Sequence, residues 1–180
     1  MENVAFRRIA ANGTCVPIFV RAGTRSGRSC GTPPSDKYVF RNILVECVEG
    51  EALSSVASSL TGVEGCRARD VTLRNVRIVC RGGGDTAAER TRPVPEVADK
   101  YPDAHMFGCM LPAYGLYARH VDGLALEDVS FELRPGTTDG RDEKVLDDVT
   151  LQDRDGAVPP PATGGSGGKK VCMHMLFQAE

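Results

Sequence analysis

Tryptophan is absent from the 180-residue sequence, and aromatic residues make up only 6% of it. That disfavours a helical core packed on large rings, while the 20 glycines and frequent valines favour strands and turns. No apolar run approaches the roughly 20 residues a membrane-crossing helix needs, so no membrane partner is expected. Neither sign of charge dominates: 22 Lys and Arg stand against 24 Asp and Glu, with a formal charge of −2. A nucleic-acid partner is therefore not expected. The seven cysteines, at 15, 30, 47, 66, 80, 109 and 172, contain no Cys-x-x-Cys. Without closely spaced ligand pairs, no zinc or other metal site is expected. Gly-x-Ser-x-Gly, phosphate-loop and dinucleotide fingerprints are missing too. Gly82-Gly83-Gly84 lacks the helix and lysine that would make it a phosphate cradle, so no cofactor is expected.

The odd cysteine count leaves at least one thiol unpaired within the chain. Cys47 and Cys80 fall at strand ends and are expected as small buried hydrophobes. Disulfides between neighbouring layers stay open. Met1–Phe6 shows neither the basic segment nor the apolar run of a signal peptide, and it starts inside a repeating pattern. The chain is therefore expected to be the later part of a longer protein, with its N-terminal coils missing. An exposed N-terminal coil edge is expected to favour self-association.

That repeating pattern is clearest in Val71–Cys80, which alternates apolar and polar residues, slips by one at Asn75 and resumes. A helix needs apolar residues every three or four positions, whereas two short strands joined at a sharp corner fit this order. Asn and Asp suit the corner because they tolerate left-handed backbone. Further copies run Val4, Phe6, Arg8, Ile9, Ala11; Tyr38, Phe40, Asn42, Ile43, Val45; and Leu124, Leu126, Asp128, Val129, Phe131. A frayed fifth copy is Leu146, Asp148, Val149, Leu151. Other candidate strands precede them: Val16–Arg21, Ala52–Leu60 around Val56, and Tyr114–His120, the last followed by a tight turn at Val121–Gly123.

Units of strand, loop, strand, corner and strand must stack to bury their faces. The expected fold is all-β: a right-handed parallel β-helix of about three to four coils, three strands per coil. A β-sandwich is the rival, but it requires hairpin turns that these corners and long gaps do not supply. Two connections are long, Ala22–Lys37 and Gly82–Pro112, and Val94–Lys100 within the second is expected to form a short helical turn. Composition changes beyond Asp155, at Pro159–Pro161 and Gly164–Gly168. Residues 1–155 are thus expected as the β-helix part and 156–180 as a linker and tail.

Val16–Arg21, Tyr38–Ile43, Val71–Ile78 and Leu111–Val121, with the intervening Pro95-Glu96, Tyr101-Pro102-Asp103 and Met106-Phe107-Gly108, resemble the C-terminal coils of glycoside hydrolase family 28 over roughly Glu2–Leu151. These are the polygalacturonase-like pectin hydrolases. The resemblance implies a right-handed parallel β-helix, a pectic oligo- or polysaccharide partner, and a secreted or periplasmic location. It implies inverting hydrolysis by aspartates on adjacent coils, which needs one carboxylic acid and one carboxylate base. The family's Asn-Thr-Asp, Gly-His-Gly and Arg-Ile-Lys signatures are not matched here. Asp147-Asp148 fits a structural corner better than the family's Asp-Asp, so no catalytic residue is assigned and the catalytic constellation is expected upstream of Met1. A non-catalytic sugar-binding wall or structural module is the alternative. On this reading Phe19, Arg21, Tyr117 and Arg119 face outward and line the cleft, with Arg25, His105 and Tyr114 on or beside the long loops. A guanidinium grips a uronate carboxylate through two hydrogen bonds, and an aromatic face stacks on a sugar ring. His120 and His174 are expected to be ordinary hydrogen-bonding histidines.

Overall fold

The computed structural model describes residues 1–23, 40–84, 92–98 and 100–152, and every regular element among them is a strand. The strands are β1 (Glu2–Thr14), β2 (Phe19–Arg21), β3 (Arg41–Ala52), β4 (Ser58–Thr61), β5 (Ala68–Cys80), β6 (Ala113–Leu133) and β7 (Asp142–Leu151). They form one seven-stranded sheet in the order β1-β3-β5-β6-β4-β2, with β7 added to β6. All of these pairings are parallel. The sheet curls into a half-barrel around its apolar side. The antiparallel pairing a sandwich depends on is absent among the described strands.

Parallel pairing places like residues above one another, and the chain uses this row by row. Val4, Ile43, Val71 and Leu124 stack in register, as do Phe6, Val45, Leu73 and Leu126, and Ile9, Val48, Val76 and Val129. With Ile18, Val20, Leu60 and Leu116 they form the main core. Side chains that alternate inward on every strand stack on their counterparts, so burial and register are fixed together. The opposite side carries alternating charge: Arg7, Glu46, Arg74 and Glu127 lie in one row. Arg7 meets Glu46 at 3.0 Å, Glu46 meets Arg74 at 3.3 Å, and Arg74 meets Glu127 at 2.5 Å. Each exposed pair contributes at most about 1 kcal/mol, so the row serves register more than stability. A slip would set like charges side by side or turn the row into the core.

Bending occurs at columns of left-handed residues. Arg8, Cys47, Asn75 and Asp128 make one column; Asn3, Asn42, Asp70 and Gly123 make a second, five residues earlier in each strand. In the second, Asn42 donates from Nδ2 to Asn3 Oδ1 at 2.6 Å. The expected second copy is thus misaligned: Asn42 is a corner of the neighbouring column, and Cys47 takes the position matching Asn75. Cys47 is accordingly exposed in a strained backbone conformation, whereas Cys80 is buried as expected. The frayed fifth copy is also displaced, since Asp148 aligns with His120, left-handed as well, and not with Asp128.

Other local expectations are corrected. Of the Ala52–Leu60 stretch, Ala52 ends β3 and residues 58–60 belong to β4, while Val56 lies in neither. Val16 leaves the face of Ile18 and Val20 and joins a second cluster. Val121–Gly123 is no reversal; β6 runs through it, bending at Gly123 while its parallel pairing with β5 continues. Among the described residues of Val94–Lys100 there is no helix. Val97 has φ 43°, and Lys100 donates from its amide to Val97 O in an isolated turn. Among the described residues, Cys15, Cys47 and Cys80 are free thiols. Residues 156–180, expected as linker and tail, and most of Ala22–Lys37 lie outside the described residues.

An ion pair of which the sequence holds no periodic sign ties the loops together. Arg141 and Asp139 bury their side chains completely at 2.7 Å. Arg141 also donates to Leu111 O at 3.1 Å and Ser55 O at 3.0 Å, and the Gly84 amide donates to Asp139 at 3.2 Å. Burial alone would raise the Asp139 pKa, but the Arg141 and Gly84 hydrogen bonds overcome it and hold it below the usual range. A Cβ on Gly84 would lie 2.8 Å from the guanidinium, so glycine is required there.

Close stacking leaves equally little room at Gly115, where a Cβ would sit 2.4 Å from Phe131 Cβ and 2.6 Å from Glu143 O. Gly115→Ala is expected to lower unfolding free energy by about 1–3 kcal/mol, measured by urea denaturation. An unchanged midpoint would contradict this packing.

Candidate functional site

Strands β2, β4, β6 and β7 present a second face, directed away from the main core. Register places Phe19, Ser59, Tyr117 and Val145 in one row and Arg21, Thr61, Arg119 and Asp147 in the next. Strand alternation, which sends Val20, Leu60 and Ala118 inward, sends these residues outward. The four strand residues expected to share a face therefore do share one.

The face is not open. Segment 92–112 crosses it as a strap, packing Val94, Val97, Met106, Phe107 and Leu111 onto Phe19 and Tyr117. Phe107 meets Tyr117 edge-on, with centroids 6.4 Å apart and planes at 84°. Phe19 and Tyr117 are consequently 2% and 1% exposed, and Arg21 is 4% exposed. Arg21 donates to Gly62 O at 2.7 Å and Glu96 O at 2.8 Å, and its guanidinium lies 5.9 Å from the Phe107 ring centroid. Arg119 donates to Val94 O at 2.7 Å. These arginines spend donors on the backbone of their own chain, which compensates their burial.

Glu96, on the strap, closes the arrangement. Its Oε1 lies 2.5 Å from Arg119 Nη2 and 3.0 Å from His120 Nε2. On its other side His120 Nδ1 is 2.6 Å from Asp148 Oδ2. Arg67 also grips Asp148 with both terminal nitrogens and donates from Nε to Asp122 at 2.8 Å. Arg119 Nε lies 3.2 Å from Asp147 Oδ2, and the Tyr117 hydroxyl donates to that oxygen at 2.9 Å. Burial, then this bond to a carboxylate, pushes the Tyr117 phenol well above its ordinary range.

No protein-family model, curated protein or solved structure matches the chain.

The remaining candidates scatter. Tyr114 packs against the main core, on the other side of the sheet, and burial raises its pKa. His105 sits in the strap's turn beside Asp103, at 3.6 Å, with an exposed side chain. Arg25 lies outside the described residues. Sequence reasoning missed Glu96, Arg67, Asp147 and Asp148 as members of one network; His120 is the hydrogen-bonding histidine expected, with Asp148 and Glu96 as its partners. A signal existed: Arg119-His120 and Asp147-Asp148 are adjacent dipeptides of opposite charge tendency on neighbouring rungs, legible once the last copy is correctly aligned.

The chemistry available is that of fixed charge. The Arg67 hydrogen bonds, then that of His120, bring Asp148 down to about 2. Glu127 is lowered by Arg74, and Asp139 is lowered as described. Carboxylates displaced downward are poor general acids at neutral pH, since an inverting hydrolase needs one held protonated. Among the described residues, no group of three or more His, Cys, Asp or Glu is placed to hold a metal ion.

Because the folded pKa of Asp148 lies below the ordinary 3.8, its pairing stabilises the fold above about pH 4 and is lost as pH falls toward 2. Asp148→Asn is therefore expected to melt earlier than wild type at neutral pH, with the difference closing between pH 4 and 2. Thermal melts across that window check it; a gap unchanged at pH 2 would contradict the pairing.

Proposed function

We propose that this chain forms the C-terminal coils of a polygalacturonase-like glycoside hydrolase of family 28, acting on pectic, galacturonate-containing polysaccharide, with the catalytic aspartates upstream. The fold belonging to this proposal is a right-handed parallel β-helix of about three to four coils. The observation that carries it is the meeting of the separate segments that bear the resemblance. Pro95-Glu96, Met106-Phe107 and Tyr117–His120 assemble into one unit, with Glu96 on Arg119 and His120 and Phe107 on Tyr117. A pectin-acting enzyme meets its substrate outside the cytoplasm, so a secreted or periplasmic location belongs to the same proposal.

A second reading is a non-catalytic sugar-binding or structural module: among the described residues, the carboxylates displaced from their ordinary range are all displaced downward, which fits either reading. The readings agree for the isolated chain and part over whether catalytic aspartates belong to it in a longer protein. Incubated with polygalacturonate, the 180-residue chain is expected to release no reducing ends; measurable release would place catalytic carboxylates within it. Affinity electrophoresis supplies the positive arm. Polygalacturonate in the gel is expected to retard the chain more than neutral galactan does, and equal mobility in both would overturn the pectic reading.

A further inference from the structure

Neighbouring residues in a strand point to opposite faces, yet Arg119 and His120 converge on one oxygen of Glu96. The cause is the backbone at His120, whose φ of 53° turns its ring to the side occupied by the Arg119 guanidinium. A left-handed non-glycine residue is costly, and such positions cluster where a side chain must be aimed. The aiming is reinforced from behind: Asp148 fixes His120 Nδ1, Val94 O accepts from Arg119 Nη1, and the Asp147 carboxylate lies 3.2 Å from Arg119 Nε, close enough for charge attraction though not aligned for a hydrogen bond. Two cationic or proton-donating groups are thus preoriented on a single carboxylate position.

We infer that Arg119 and His120 form a carboxylate-binding site that Glu96 fills in the closed chain, and that the carboxylate of a uronate residue enters by displacing the Glu96 side chain. The choice of a uronate rests on the pectic reading above; the site itself rests on the geometry alone. Glu96 is more exposed than the two groups it bridges, its side chain 40% exposed against 18% for Arg119 and 13% for His120. It stands on the strap and not in the sheet, so no ladder hydrogen bond breaks when its side chain swings out. The strap stays seated, because Arg21 and Arg119 hold it through the carbonyls of Glu96 and Val94. Exchange of one carboxylate for another leaves charge and hydrogen-bond count unchanged, so no buried cation is left bare. The tethered Glu96 competes at an effective concentration on the order of millimolar, as short linkages do. Entry by a ligand is therefore weak until that tether is outcompeted by a chain presenting many carboxylates.

The test titrates galacturonic acid, acetate and galactose into the 180-residue chain and into Glu96→Ala and Glu96→Gln, following the His120 imidazole by nuclear magnetic resonance. Only three histidines compete for assignment. Removing the competitor is expected to let galacturonate shift the His120 signal at about tenfold lower concentration than in wild type. Adding Arg119→Ala is expected to abolish the shift, and galactose to produce none. Glu96→Gln keeps the side-chain shape and carries the test if the alanine variant unfolds. An unmoved His120 signal in a folded variant, or an equal response to galactose, would overturn the site. Acetate matching galacturonate would uphold the carboxylate site while counting against a pectic ligand, so the two readings fail separately.

Discussion

Step-for-step stacking of parallel rungs is the constraint on which everything else in this chain depends. Inward positions of one strand stack on the same positions of the next, so Val4, Ile43, Val71 and Leu124 form one column of the core. Stacking works only if every rung bends at the same place. Left-handed residues supply the bends, and the cost of a positive φ at Arg8 or Cys47 is borne because missing a corner would shift a whole rung. Register then determines which polar groups meet. The charged row Arg7, Glu46, Arg74, Glu127 and the joining of Arg119-His120 to Asp147-Asp148 follow from alignment, not from any local motif.

The second face shows how a sheet built this way can be closed by its own chain. Apolar contacts of Phe107 and Met106 with Phe19 and Tyr117 make the strap adhere, and the arginines supply its location. Arg21 and Arg119 sit in one row on strands two apart in the sheet, so the strap's carbonyls must lie along that row. Glu96 satisfies what remains. The same contacts that hold the strap leave a preoriented carboxylate position at its edge. Covering the aromatic floor and selecting an anionic group are thus properties of one arrangement.

Much of this was legible in the sequence. Alternation in Val71–Cys80 identified strands, the asparagine at 75 identified a left-handed bend, and the spacing of copies identified parallel stacking. What failed was alignment. Asn42 has the chemistry of a corner and is one, but in the neighbouring column, while Cys47 has no such chemistry and occupies the matching place. Propensity reports that a residue tolerates a left-handed bend, not which bend it serves. The strap was illegible for a different reason: residues 92–112 carry no periodicity, and long-range packing alone brings Phe107 to Tyr117. Arg141 and Asp139 are two residues apart in a loop, where solvent is the ordinary expectation, and only tertiary burial makes them a pair.

Alignment is also where the account is most exposed to measurement. Cys47 on β3 lies beside Asn75 on β5, between the paired residues Glu46–Arg74 and Val48–Val76. Adjacent rungs bring such positions within the reach of a disulfide, about 4.4–6.8 Å between Cα atoms. Mild oxidation of Asn75→Cys, followed by peptide mapping, is predicted to yield a bridge from position 75 to Cys47. A bridge formed instead between positions 75 and 42 in Asn42→Cys/Asn75→Cys, with Cys47 left free, would contradict the register and everything derived from it.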